Sequence, residues 1–134
     1  MARTFDVRHV SVSIDRPASA VYAFMSNGEN LIRWATGLGS KYERDGDDWL
    51  VHGPDGLVRA RLPKPNEFGV VDHTVTLPTG ATVHVPIRVI PNGEGATVSV
   101  TVLRLDGVSP EKFDDDARWV ERDLATLKSV LESR

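Results

Sequence analysis

The stretch from Ser109 to Arg134 limits what this chain can become more than any other. Phe113, Ala117, Val120, Leu124, Leu127 and Leu131 follow one another at spacings of 4, 3, 4, 3 and 4. That rhythm puts all six side chains on one stripe of an α-helix. Ser109 is placed to cap the helix and Pro110 suits its first position. Glu111 and Asp114 to Asp116 set negative charge near the positive end of the helix dipole, with Lys128 and Arg134 towards the other end. Such a stripe needs an apolar surface to cover, and almost everything before it reads as strand.

Val10, Val12 and Ile14 alternate with Ser11, Ser13 and Asp15, the pattern of a first strand with one buried face. Pro17 ends that run and can open a helix carrying Val21, Phe24 and Met25 on one side. Ser26 and Asn27 offer a second cap, ahead of a short helix edged by Leu31 and Trp34. Gly37-Leu38-Gly39 lacks the second half of a phosphate-binding motif and reads as a turn. From Ser40 to Asp106 turn signals recur at Asp45-Gly46, Pro54-Asp55-Gly56, Pro63 to Asn66, Pro78-Thr79-Gly80, Pro91-Asn92-Gly93 and Asp106-Gly107. The runs between them, clearest at Val70 to Leu77, Ala81 to Ile90 and Ala96 to Leu105, form a meander of about six antiparallel strands. Pro86 inside one of these runs predicts a bulge.

Strand register narrows the picture further. Pairing Leu77 with Ala81 puts Val71, His73, Val75 and Leu77 on one face with Val83, Val85, Ile87 and Val89. Pairing Ile90 with Gly95 adds Val98, Val100 and Val102. Three strands then agree on one apolar surface, and His73 is its one strongly polar member. Asp72, Thr74, His84, Arg88 and Thr101 fall on the other side.

Composition excludes several functions. A net charge of −3 argues against a nucleic-acid partner, which needs a basic face. No run approaches the ~18 apolar residues of a membrane span, and the first residues have no apolar core of a signal peptide. There is no cysteine, hence no disulfide or thiol chemistry. A cytoplasmic protein is the default expectation. At 134 residues the chain is expected to form one domain over its whole length.

Specific motifs carry a resemblance. Val12-Ser13-Ile14-Asp15-Arg16-Pro17 followed by Val21-Tyr22-Ala23-Phe24 resembles the opening of the START-like (SRPBCC) superfamily, in its polyketide cyclase and dehydrase-like branch. Asn27 to Trp34 looks like that branch's second-helix motif, and Phe113 to Leu124 is similar to its closing helix. The resemblance implies an α+β helix-grip fold: a seven-stranded antiparallel curved sheet around the long C-terminal helix, with two short helices after the first strand. It also implies a cavity between sheet and helix. Members hold sterols, lipids, plant hormones or polyketides there, and some catalyse cyclisation or dehydration. No cofactor is implied, and no universal catalytic motif carries over.

Each candidate residue has a plainer reading beside the functional one. His73 can orient a ligand or act as general acid or base, or be a core histidine with a backbone partner. Trp34, Trp49, Tyr22 and Phe24 can line a cavity or simply fill a core. Val85 and Val100 come from the apolar sheet face, and Ala117 and Val120 from the helix stripe. Ala117 is narrow enough to leave space. Trp119 lies beside the stripe and can mark a protein contact. Arg59 and Arg61 belong to solvent if Trp49, Val51, Val58 and Ala60 face inward. The opposite parity would gather them with His52 and His73 into an anion-binding wall, and buried unpaired charge counts against that. The four histidines show no metal-ligand spacing. The expected partner is a hydrophobic or amphipathic small molecule, with cyclase or dehydratase chemistry at His73 as the alternative. A ligand-free interaction module or homodimer is left open.

Overall fold

The computed structural model describes residues 2–133, so Arg134 and its expected place at the helix end lie outside them. Strand β1 (Val7–Ile14) turns Val10, Val12 and Ile14 inward. The Pro17 carbonyl accepts from the N–H groups of Ala20 and Val21 and opens α1 (Ala18–Ser26), which buries Val21, Phe24 and Met25. The Asn27 side chain then accepts from the Glu29 N–H, starting a 3-10 turn (Gly28–Asn30) that runs into α2 (Leu31–Trp34). Seven more strands follow: β2 (Tyr42–Asp45), β3 (Asp48–Gly53), β4 (Gly56–Arg61), β5 (His73–Thr76), β6 (Thr82–Val85), β7 (Ile87–Asn92) and β8 (Gly95–Leu103). The chain closes with α3 (Pro110–Glu132), whose N-cap Ser109 accepts from the Lys112 N–H at 3.1 Å.

All pairings are antiparallel, in two ladders: β1–β8–β7 and β2–β3–β4–β5–β6. They are joined where the chain before β5 reaches β7. Val70 bridges to Arg88, Val71 N–H donates to Ile87 O, and Val89 N–H donates to Gly69 O at 2.8 Å. Gly69 permits this approach. Its φ is +70°, and a Cβ there would stand 2.2 Å from the Val89 carbonyl oxygen.

Two expectations change. The strand count among the described residues is eight instead of seven, because Pro86 divides the Ala81 to Ile90 run into β6 and β7. The division is not a bulge. His73 pairs with Val85 before Pro86 and Val70 with Arg88 beyond it, one register throughout, and both Ile87 and Val89 remain buried. A bulge would have turned that pair outward. Proline instead removes a rung: Pro86 O accepts from Thr101 N–H at 3.0 Å, but Pro86 has no N–H to return. Beyond that point β6 and β8 part company, and the Asp72 carboxylate takes the Ile87 N–H at 2.8 Å. The other correction concerns the β7–β8 hairpin. Ile90 pairs with Thr97, not Gly95, and the turn is set by Asn92 opposite Gly95. A shift of this parity leaves every side chain on its expected face.

On α3 the stripe is buried at Phe113, Ala117, Leu124, Leu127 and Leu131, Val120 is half-buried, and Asp123 is buried as well. The core beneath divides in two. The larger cluster gathers Ile14, Val21, Phe24, Met25, Leu31, Trp34, Val71, Ile87, Val89, Val98, Val100 and the leucines of α3. The smaller comprises Val51, Val58, Ala60 and Val75. Leu38, Tyr42, Trp49 and Val85, all only partly buried, touch both.

Candidate ligand-binding site

Strand alternation puts Val71, His73 and Val75 on one inward face. Val71 belongs to the larger cluster and Val75 to the smaller, so His73 stands at the junction between them. It is 5% exposed, and Val85 lies directly opposite on β6. The last residue of α2 brings the Trp34 indole against it, ring centroids 6.0 Å apart and tilted by 49°. Both rings carry a buried nitrogen without a hydrogen-bond partner, Trp34 Nε1 and His73 Nε2. An unsatisfied buried polar atom costs about 1–3 kcal/mol, so two on neighbouring rings mark a place that a polar guest would stabilise. Burial pulls the His73 pKa down to about 4, against a small opposing pull from the charge of Asp72. At neutral pH the ring is therefore uncharged.

The other expected lining residues divide between the junction and the packed core. Trp49 sits at the junction, half-buried against both clusters. A Cβ on Gly28 would stand 2.0 Å from its Nε1, so the indole is held against bare backbone at the start of the 3-10 turn. Phe24 and Val100 are buried within the larger cluster, and the Arg33 guanidinium lies 5.2 Å from the Phe24 ring. Tyr22 packs beside that cluster, and its hydroxyl accepts from the Asn66 N–H at 2.8 Å, tying down the 62–72 connection. Val120 packs on the larger cluster from α3. Ala117 and Phe113 are buried outside both clusters, and the Arg8 guanidinium lies 4.8 Å from the Phe113 ring.

The anion-binding wall does not form. Ala60 pairs with Val75 on the inner face, which sends Arg59 and Arg61 outward. Both donate to the buried Asp48 carboxylate, Arg59 at 3.0 Å and Arg61 through two nitrogens, at 2.5 and 3.1 Å. Hydrogen bonds from Arg61 hold the Asp48 carboxyl below its usual range despite burial. His52 lies outside as well, 3.5 Å from Glu43. Asp72 also faces away from His73, bonding Arg88 and His84. Trp119 is 44% exposed with the Arg122 guanidinium 5.0 Å from its ring.

Asp123 was not foreseen. It stands one residue ahead of Leu124 on the stripe and accepts from Thr36 Oγ1 at 2.8 Å and from Gly37 N–H at 3.1 Å. Burial raises its pKa, and its charge adds to the burial that raises the pKa of Tyr42, whose hydroxyl donates to Ala35 O. The signal was the spacing itself: a carboxylate at the stripe margin needs donors from whatever the helix covers.

Two open grooves lie elsewhere. One of about 400 Å³ runs between β1 and α3, lined by Val10, Val12, Leu124, Ala125 and Lys128 among others. Another, of about 290 Å³, lies by Ile14, Gly95 and Ala96. Neither is lined by a residue expected for the cavity.

No protein-family model matches the sequence, and no curated protein sequence matches it. Solved structures do. A START superfamily protein from Mycobacterium smegmatis superposes with a TM-score of 0.69 at 12% identity, covering 95% of this chain and 97% of that one. The fold is START-like. The START-like architecture also matches the Aha1 dimer from Colwellia psychrerythraea, with a TM-score of 0.71, 14% identity, and 95% and 96% of the two chains covered. DynU16, a protein in the dynemicin biosynthetic locus, matches at 0.71 and 18% identity over 95% of this chain and 47% of its own. At such identities the likeness speaks for the START-like backbone, a curved antiparallel surface closed by one long helix.

Proposed function

We propose that this START-like protein binds a hydrophobic or amphipathic small molecule between the curved sheet and α3, at the junction marked by His73 and Trp34. One observation carries the reading: two buried nitrogens without partners, on rings in contact, where the core divides into two clusters. The half-buried Trp49 and Val85 supply apolar wall beside them, in keeping with pockets that are mostly apolar with a few placed polar groups.

The alternative, a cyclase or dehydratase using His73 as acid or base, has less support. A ring whose pKa lies near 4 is a weak base at neutral pH, and Asp72, the adjacent carboxylate, points to the outer face. Native mass spectrometry of the purified protein, followed by a panel of lipophiles, tests the binding reading. A retained small molecule, or a stoichiometric complex with a panel member, is the expected result. A protein that is empty and takes up nothing from the panel overturns it.

A further inference from the structure

The same two nitrogens restrict the chemistry of the guest. Trp34 Nε1 is only a donor, and neutral His73 has one ring nitrogen that donates and one that accepts. The two rings are neighbours, with centroids 6.0 Å apart, so one guest can reach both unpartnered nitrogens. An oxygen on such a guest can accept from the indole and complete the imidazole.

Full charge has no counterpart here. Among the described residues the buried polar or charged side chains are Asp48, His73 and Asp123. Asp48 is taken by Arg59 and Arg61 on the outer face, and Asp123 by Thr36 and Gly37. Burial keeps His73 neutral at pH 7. An ionised headgroup entering this junction would lose its hydration and meet no opposite charge.

We infer that the site selects a neutral oxygen-bearing lipophile, an alcohol, phenol or ketone, whose oxygen serves the unpartnered nitrogens of Trp34 and His73, and that it rejects carboxylates of the same shape. This specificity rests on the binding function proposed above. Calorimetry at pH 7 with 2-naphthol, naphthalene and 2-naphthoate tests it on the full chain and on two variants, His73→Leu and Trp34→Phe, the latter keeping an aromatic ring while removing the donor. The expected result in the native protein is binding of 2-naphthol at least tenfold tighter than 2-naphthoate. Its advantage over naphthalene should fall about tenfold in either variant. The inference is overturned if 2-naphthoate binds as well as 2-naphthol, or if the advantage over naphthalene survives both substitutions. In the second case a trapped water, not the guest, serves the two nitrogens. Silence from all three probes, naphthalene included, removes the binding function itself.

Discussion

His73 is the residue on which the chemistry turns, and its burial has a consequence that needs no ligand. The unfolded chain takes up a proton at this ring near pH 6.5, whereas the fold resists until about 4. The stabilising effect of the neutral ring is complete above 6.5 and is lost as pH falls from there to 4. The loss should reach about 3 kcal/mol by pH 4. Urea unfolding at successive pH values checks this when the native protein is compared with His73→Leu. Asp123 has the opposite sign, since a raised carboxyl pKa adds stability as pH falls. It is common to both proteins and cancels in the difference. Parallel pH profiles would contradict the account. That His73 faces inward could be read from alternation alone, because neighbours two apart share a face. Its contact with Trp34 could not, since it joins a helix end to a strand 39 positions away in the chain. Asp123 escaped notice for a related reason: its donors sit in the turn after α2, remote in sequence and invisible to helix periodicity.

Among the elements, α3 was the most legible. Its stripe, cap and opening proline all act within a few residues of one another, and local physics reports them well. The sheet was legible in parity and less so in register. The Pro-Thr-Gly turn placed Leu77 against Ala81, whose carbonyl indeed accepts from the Leu77 N–H at 2.8 Å. The Pro91-Asn92-Gly93 turn misled by two positions, because Pro91 and Asn92 continue β7 and leave only Gly93 and Glu94 to turn the chain. Pro86 misled differently. A missing N–H can be accommodated by a bulge or by a lost rung, and only the neighbouring strand decides which. The corner between α1 and α2 yields its own prediction. Gly28→Ala would drive a methyl into the Trp49 indole, 2.0 Å from Nε1 at the ideal position. Stability should drop by about 1–3 kcal/mol. The same substitution should cost less where Trp49 is already Phe. Equal losses in the two backgrounds, measured by chemical denaturation, would show that Trp49 is not the obstacle.

At the scale of the whole molecule, the two ladders meet at the Val70–Arg88 bridge yet do not enclose a single core. The larger cluster packs α1, α2 and the C-terminal part of α3 against β1, β7 and β8. The smaller lies under β3, β4 and β5. Pro86 marks the divergence on the sheet side, where β6 and β8 part, and His73 faces the junction from β5. The central claim is that this junction, and not the groove between β1 and α3, receives the guest. A nitrogen-15 correlation titration with 2-naphthol tests it most directly, with the Trp34 indole signal assigned by its absence in Trp34→Phe. The account predicts that the Trp34 Nε1–H signal moves in step with saturation while that of exposed Trp119 stays in place. A stationary Trp34 signal at saturation, with shifts confined to Val10, Val12 and Leu124, would contradict it.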